Sequence, residues 1–274
     1  MDVAITDDAA RVLEEAGTFL RSAPAEHNLL LSLLTERAAH PEPGRFWSVQ
    51  RGGEVVAVMF QSPLSFHASI TPAAPDAVAA LAESAADVAP DLPGVSGEAA
   101  TAALFAGCWA ERLKTPAAPV EGQRLYLLRT LRPPDNVAGR LRRATEDDTD
   151  LLIDWMQGFE ADTGTAMTTP ETLHRRIGAG LVWLWERDDH VPAGMAAFTA
   201  PVAGVTRIGL VYTPPEHRRH GYGAACTAAV SQAALDAGAQ RCILYTQLSN
   251  PQSNAIYRGL GYEPIQETVH YRFG

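Results

Sequence analysis

The segment from 205 to 237 constrains this chain more than any other. Residues 205–212 are rich in β-branched and aromatic side chains and predict a strand, which two prolines then end. A basic turn that contains Gly221 and Gly223 follows, and residues 223–237 predict a helix of small side chains. This order places the unpaired N–H groups and the positive dipole end of a helix at the end of a strand.

Such a turn suits a bound anion. Gly221 and Gly223 let the backbone approach the anion without an intervening Cβ. Arg218 and Arg219 supply charge-assisted donors. We therefore expect a diphosphate at this helix start, and an ordinary tight turn before a core helix is the alternative.

Two familiar nucleotide motifs do not fit the turn. A dinucleotide-binding G-x-G-x-x-G would have a third glycine where this chain has Cys226, and the next predicted strand ends without the carboxylate that binds a ribose. A nucleotide P-loop would need Gly-Lys-Ser/Thr, which the turn lacks.

Charge and cysteine content exclude other classes of protein. The net charge is −10, with 32 acidic and 22 basic residues, so a basic face for nucleic acid is not expected. Cys108, Cys226 and Cys242 are far apart and predict neither a disulfide framework nor a zinc site. No signal peptide or membrane span is expected, because the first residues are acidic and the apolar stretches are short. The expected location is the cytoplasm.

The order of predicted elements divides the chain into two similar halves. Helices are predicted at 8–21, 26–39, 77–89, 98–112, 170–179, 223–237 and 251–260, with a further helix opened by the capping box at Thr145. Strands are predicted at 46–50, 54–61, 123–131, 141–144, 181–186, 194–200, 205–212, 241–246 and 268–273. A polar, proline-containing linker at 132–136 separates domains at 1–135 and 139–274. We expect an α/β fold with mixed sheets (α+β) and a degenerate tandem duplication.

Two motifs of the second half carry a resemblance to a known family. Residues 218–223, Arg-Arg-His-Gly-Tyr-Gly, resemble the R/Q-x-x-G-x-G/A signature of GNAT N-acetyltransferases. Residues 250–262 resemble the family's N-x-x-A/S-x-x-x-Y-x-x-x-G-F/Y element. The chain is similar to bacterial members, and the resemblance implies two tandem GNAT-like domains. Only the C-terminal one is expected to hold an intact acetyl-CoA site, because residues 69–76 of the first half have no G-x-G and no arginine.

The resemblance implies a set of residues that contact acetyl-CoA. The backbones of Val211 and Thr213 would pair with the pantetheine arm, with Tyr212 on the opposite face, and the amides of 219–224 would hold the pyrophosphate near Arg218. The full set of expected coenzyme contacts is Val211, Tyr212, Thr213, Arg218, Arg219, His220, Gly221, Tyr222, Gly223, Ala224, Asn250, Ser253, Asn254 and Tyr257.

Two of these residues have a structural alternative. Asn250 matches the family asparagine that contacts pantetheine, but it also precedes Pro251 as an N-cap would. Tyr257 matches the family tyrosine that protonates the leaving thiolate, and a phenol is protonated at neutral pH. Its alternative is a core aromatic residue of an amphipathic helix.

The resemblance implies direct attack of an amine on the thioester, with no covalent enzyme intermediate. The base is unassigned, because the strand position at which some relatives carry a glutamate falls among Thr206, Arg207 and Ile208. The weak candidates are Glu160, Asp162 and Glu186, each of which fits a surface carboxylate as well.

Histidines and tryptophans add little to the site. His217 and His220 are not expected to bind a metal, since the turn would point them apart. Trp155, Trp183 and Trp185 could line the acceptor pocket, although the last two share one strand face and suit core packing.

The expected function is therefore acetyl-CoA-dependent N-acetylation of a primary amine, with Tyr257 as general acid. The acceptor is expected to be a small molecule or a peptide. No nucleic-acid or membrane partner is expected, and the protein is expected to be a monomer or a homodimer. A catalytically inert acetyl-CoA-binding or regulatory module is the main alternative, and a dehydrogenase is the third.

Overall fold

The computed structural model of the protein describes residues 1–164 and 169–274. The chain forms two compact units. Unit 1 contains Met1–Leu125, Thr246–Pro251 and Pro264–Gly274, and unit 2 contains Tyr126–Tyr245 and Gln252–Glu263. These units do not coincide with the predicted domains 1–135 and 139–274, whose limits stay a prediction.

One order of elements occurs twice along the chain: strand, two helices, three strands, helix, strand, helix, strand. The first series is β1 (Asp2–Thr6), α1 (Ala9–Ser22), α2 (Asn28–Ala39), β2 (Arg45–Arg51), β3 (Glu54–Gln61), β4 (Ala68–Ile70), α3 (Pro75–Val88), β5 (Gly94–Glu98), α4 (Ala99–Leu113) and β6 (Ala117–Leu128). The second is β7 (Arg140–Arg143), α5 (Thr149–Thr163), α6 (Pro170–Gly178), β8 (Val182–Glu186), β9 (Pro192–Phe198), β10 (Val205–Tyr212), α7 (Tyr222–Asp236), β11 (Arg241–Gln247), α8 (Pro251–Gly259) and β12 (Tyr262–Phe273). The similar order expected of the two halves is confirmed.

Unit 1 is built on strands in the order β1-β2-β3-β4-β5-β12. All neighbours are antiparallel except β4 and β5, which are parallel. Helix α3 begins with Pro75, which has no N–H, and carries Asp76 in its first turn. The Asp76 carboxylate accepts from Arg51. A negative charge at this helix start is the opposite of what a phosphate site needs.

Unit 2 has the strand order β11-β10-β9-β8-β7, in which only β10 and β11 are parallel. Side chains alternate between two buried clusters on the two faces of this sheet. Ala196 and Phe198 belong to a cluster that contains α7 and α8 residues, which we call the α7 face. Met195 and Ala197 belong to a cluster that contains α5 and α6 residues, which we call the α5/α6 face.

Every predicted helix and strand has a counterpart in the structure; the ends of β3 and β10 match the prediction and those of the other elements are shifted. The predicted capping box at Thr145 is also confirmed, since its N–H donates to Asp148 at 2.8 Å. Three short strands of the first half, β1, β4 and β5, were not predicted. In the described part of the chain, no helix is both long and apolar enough to cross a membrane.

Candidate acyl-transfer site

Strand β10 separates from β11 halfway along its length. Their parallel pairing runs from Val205 opposite Arg241 to Ile208 opposite Leu244. Beyond that point the pairing with β9 shifts register between Gly209 and Tyr212, and Leu210 has a φ of 51°. This bulge turns the β10 backbone after Ile208 away from β11. An extended ligand could therefore enter between β10 and β11 and pair with their backbones. Val211 lies in the separated stretch and Thr213 follows it; these are the two residues whose backbones the resemblance assigns to the pantetheine arm.

The end of β10 is braced by an arginine. Arg218 Nε donates to the carbonyl oxygen of Thr213 at 2.9 Å, and its Nη2 donates to Asp162 at 2.5 Å. The same guanidinium lies over the ring of Tyr212, 5.8 Å from its centroid. Tyr212 itself is buried against Trp155 on the α5/α6 face, which raises the pKa of its phenol through desolvation. Arg218 therefore fixes the strand end and the turn that follows it.

The turn at 218–223 has the left-handed backbone that exposes N–H groups. Arg219 has a φ of 68° and Gly221 a φ of 81°. Ala225 N donates to the Gly221 carbonyl at 3.0 Å, so the N–H groups of the residues before Ala225 lie in the first turn, where a helix has no partner for them. A Cβ at Gly223 would lie 3.3 Å from Thr213 Oγ1, and one at Gly221 would lie 3.1 Å from Val137. Gly221 is therefore favoured by its conformation as well as by space, whereas Gly223 is favoured by space alone.

The surroundings of this turn are positive. Arg219 and His220 are exposed, and the His220 ring stacks on Tyr222 with centroids 5.5 Å apart. His220 Nδ1 also contacts the carbonyl oxygen of His217 at 3.3 Å. Together with the helix dipole, these groups can hold a diphosphate.

Tyr257 lies on α8 inside the α7-face cluster and is 7% exposed. Its ring is edge-on to Tyr126 and Tyr262, at 6.3 and 6.2 Å between centroids. Burial raises the pKa of its phenol to about 12, and a hydrogen bond with Ser253 acts in the opposite direction. Tyr257 is thus a core residue, as the alternative expected, and also a phenol that holds its proton at neutral pH.

Asn254 and Asn250, both in the motif at 250–262, differ from each other in their surroundings. Asn254 is 5% exposed, and its Oδ1 accepts from Tyr126 at 2.8 Å, so this side chain has a packing role in the core. Asn250 belongs to unit 1, and its N–H donates to the carbonyl of Gln247 at 3.2 Å. Its contact with coenzyme, like those of the other predicted residues, stays a prediction.

Of the three weak base candidates, two are held in ion pairs. Glu186, at the end of β8, accepts from Arg140 at 2.8 Å and from Arg142 at 2.7 Å, and contacts His190 at 3.2 Å. The hydrogen bonds from Arg140 and Arg142 lower the pKa of Glu186 to about 2. A carboxylate with so low a pKa accepts a proton poorly at neutral pH, so Glu186 is a weak candidate for the base. Asp162 bonds Arg218, as described above. Glu160 is exposed on α5.

The tryptophans follow the expected alternation. Trp183 and Trp185 both pack in the α7-face cluster, and Trp155 packs in the α5/α6-face cluster. Within residues 1–164 and 169–274, no three His, Cys, Asp or Glu side chains form a group that could hold a metal ion. Sequence reasoning assigned no role to Arg176, which lies on α6 near Arg207.

Comparisons with known proteins identify a family for part of the chain. Residues 149–262 match the model of the Acetyltransferase (GNAT) family. An acetyltransferase of the GNAT family from Colwellia psychrerythraea has a TM-score of 0.64 at 9% identity, with 100% of each chain covered. A GCN5-related N-acetyltransferase from Kribbella flavida has a TM-score of 0.61 at 22% identity, with 92% of this chain and 94% of that chain covered.

A tandem GNAT protein from the clavulanic acid biosynthesis pathway has a TM-score of 0.58 at 14% identity, with 98% of each chain covered. At these identities the similarity shows the fold alone. No curated protein matches the chain.

The fold, with a split strand pair that leads into a glycine turn, is the fold of the GNAT acetyltransferases. Residues 149–262 are a GNAT acetyltransferase domain. The expected α/β fold class is confirmed, and it extends over the whole chain, since a tandem GNAT protein is similar along 98% of it.

Proposed function

We propose that this protein is an acetyl-CoA-dependent N-acetyltransferase that transfers the acyl group directly to a primary amine. The observation that carries the proposal is the separation of β10 from β11 beyond Ile208, followed by the turn that ends at Gly223. A split strand pair supplies backbone groups for an extended amide-containing arm, and the helix start supplies N–H groups for its diphosphate. Coenzyme A combines these two parts.

Bound acetyl-CoA supplies the acyl group as a thioester. Val211 and Thr213 would orient the arm, and the amides of 219–224 would hold the pyrophosphate. Tyr257 would give its phenolic proton to the sulfur as the C–S bond breaks. The raised pKa of Tyr257, about 12, keeps that proton in place until a thiolate forms beside it.

The amine must be neutral before it attacks. An amine with a pKa of about 10.4 costs roughly 4–5 kcal/mol to deprotonate at pH 7. Glu186 and Asp162 are held by arginines, so of the three carboxylates Glu160 is the candidate left, acting through water or a second proton carrier.

The engaged carboxylates also favour a second candidate function, an acetyl-CoA-binding or regulatory module without turnover. We further propose a small-molecule or peptide amine as the acceptor, a monomer or homodimer, and a location in the cytoplasm without nucleic-acid or membrane partners.

One pair of measurements tests the proposal. The full-length protein is incubated with acetyl-CoA and a panel of small amines, amino acids, peptides and aminoglycosides, and free thiol is measured. Unfolding temperature is measured in parallel with acetyl-CoA, coenzyme A and NAD. Release of thiol with an amine supports the transferase. A rise of the unfolding temperature with coenzyme A, without release of thiol from any amine, supports the inert module. Stabilisation by NAD and not by coenzyme A would contradict both candidate functions. The shift is large enough to measure, since a ligand at 100 times its Kd adds about 2.7 kcal/mol to the free energy of unfolding.

A further inference from the structure

One face of helix α5 lies against the end of β10. Trp155, Gly158 and Asp162 follow each other at intervals of three and four residues, so they lie on the same side of the helix. The Trp155 ring packs on Tyr212 with centroids 6.4 Å apart, and Asp162 accepts from Arg218 Nη2 at 2.5 Å. This side of α5 therefore contacts the residues that lead into the glycine turn.

Gly158 forms a notch for the Tyr212 side chain. A Cβ at this position would collide with the Tyr212 hydroxyl and would lie 2.8 Å from Cζ of the same ring. Glycine inside a helix is less favourable than alanine, so its presence here has a packing reason. The notch lets α5 come close to the strand end.

The position of Asp162 does not favour α5 itself. Asp162 lies in the last turn of the helix, which contains no basic residue, and the helix dipole disfavours a carboxylate at this end. Its ion pair is also partly exposed, with 46% of the Asp162 side chain and 40% of the Arg218 side chain accessible, so the pair adds little to stability. The carboxylate does, however, hold a guanidinium whose Nε donates to the Thr213 carbonyl oxygen at 2.9 Å.

We propose that Asp162 is a positioning residue for coenzyme binding. Asp162 holds Arg218, and Arg218 holds the Thr213 carbonyl, so the end of β10 keeps the conformation that receives the coenzyme arm. Because energetic coupling between two sites is reciprocal, bound coenzyme should in turn stabilise α5. This inference rests on the proposed acetyltransferase function and gives Asp162 a role other than that of the base.

The direction of the change in affinity separates positioning from simple electrostatics. The Asp162 carboxylate pairs with Arg218 beside the turn that would hold a diphosphate, so its charge alone repels the coenzyme. By electrostatics alone, Asp162→Asn would bind coenzyme A more tightly than the wild type. If Asp162 positions Arg218, the same substitution weakens binding, and we expect Kd to rise by about three- to tenfold, as for the loss of one hydrogen bond.

Calorimetric titration of the full-length protein with coenzyme A tests this prediction. Asp154→Asn removes the same charge from an exposed position of α5 and should leave Kd unchanged. Asp162→Glu keeps a carboxylate that can pair with the guanidinium and should restore binding. In the Arg218→Gln background, Asp162→Asn should have no further effect on Kd, because no guanidinium is left to hold. The unfolding temperature of Asp162→Asn should stay near that of the wild type.

Hydrogen exchange gives a second measurement, which a merely structural role of Asp162 would not change. Coenzyme A should slow the amide exchange of α5 in the wild type and should slow it less in Asp162→Asn. For any amine that is turned over, Asp162→Asn should raise KM for acetyl-CoA and leave kcat unchanged.

Two results would overturn the proposal while coenzyme A still binds to the wild type. One is equal or tighter binding of coenzyme A by Asp162→Asn. The other is amide exchange of α5 in the wild type that coenzyme A does not change, and this result decides the question even if Asp162→Asn does not fold. A wild type that does not bind coenzyme A at all would instead reject the proposed function, and with it this role of Asp162.

Discussion

Tyr257 and Tyr262 form a matched pair for testing the proton donor. Both phenols are buried in the α7-face cluster, and Tyr262 bonds Ser231 at 2.6 Å as Tyr257 bonds Ser253. Tyr257→Phe should lower kcat by about 10²- to 10⁴-fold, the usual contribution of a general acid. Tyr262→Phe should lower stability by about 1 kcal/mol and leave kcat within threefold. Steady-state rates and urea denaturation measure both effects.

The pKa of Tyr257 adds a constraint on the pH profile. Because burial raises that pKa to about 12, the phenol stays protonated between pH 7 and 10, and its ionisation should cause no fall of kcat there. Unchanged kcat in Tyr257→Phe would reject the proton donor, and coenzyme binding without any turnover in either form would favour the inert module.

Glu186 gives a second prediction at the scale of single residues, on stability. Arg140 and Arg142 lower its pKa to about 2, so its contribution is full above the ordinary pKa of 4.5 and is lost as the pH falls toward 2. Glu186→Gln should therefore lower the urea midpoint at pH 7, and the difference from wild type should shrink between pH 5 and 2. Glu263→Gln, which breaks a single exposed pair with Arg129, is the control and should shift the midpoint little. A difference in urea midpoint between Glu186→Gln and wild type that stays constant at all pH values would contradict the stabilising role of the ionised Glu186 carboxylate.

At the scale of elements, the two ends of α7 offer a matched pair of glycines. Gly221 precedes α7 with a φ of 81°, and Gly238 follows it with a φ of 98°. Alanine at either position costs about 1–2 kcal/mol in the left-handed region. A Cβ at Gly238 meets nothing within 4 Å, whereas one at Gly221 meets Val137 at 3.1 Å beside the turn.

Gly221→Ala should thus raise the Kd for coenzyme A by about tenfold or more, through loss of the charge-assisted contacts that the turn amides make. Gly238→Ala should be similarly destabilised and bind coenzyme A as the wild type does. Calorimetric titration with coenzyme A distinguishes the two variants. Equal affinity in both would mean that the turn does not hold the coenzyme.

The elements also show what sequence patterns can and cannot predict. Long periodic helices and the β2–β3 hairpin were predictable, because their apolar spacing and the turn at Gly52 are local signals. Strand β1 has mostly exposed side chains, β4 has three residues, and β5 contains two glycines, so none of them carries a strand pattern.

The site was only partly predictable for the same reason. The glycine turn is a local motif and was identified, but the bulge depends on Leu210 adopting a φ of 51°, which a leucine adopts only where the surrounding structure holds it. The ion pairs of Glu186 and Asp162 depend on strand register and on a separation of 56 residues to Arg218, so no spacing rule identifies them.

At the scale of the whole molecule, the two compact units and the two predicted domains make different predictions about folding. Unit 2 begins at Tyr126, whereas the predicted domain begins at 139. The intervening residues supply much of the α7-face cluster: Tyr126 is fully buried and bonds Asn254, and Leu128, Leu131 and Val137 pack against the cluster. Removing them would expose Tyr257 and the small side chains of α7, at a cost of roughly 1.5–3 kcal/mol for each large apolar side chain.

A fragment of residues 126–263 should therefore unfold cooperatively in urea and bind coenzyme A, while a fragment of 139–274 should not. The second fragment lacks the buried Tyr126 and retains 264–274, a stretch that packs with unit 1. Circular dichroism in urea and titration with coenzyme A measure both properties, and the full-length protein is the reference. Cooperative unfolding of 139–274 at the midpoint of 126–263 would favour the boundary that the linker predicts. Failure of both fragments beside a folded full chain would mean that unit 2 needs unit 1 to fold, since residues 246–251, between its two segments, belong to that unit.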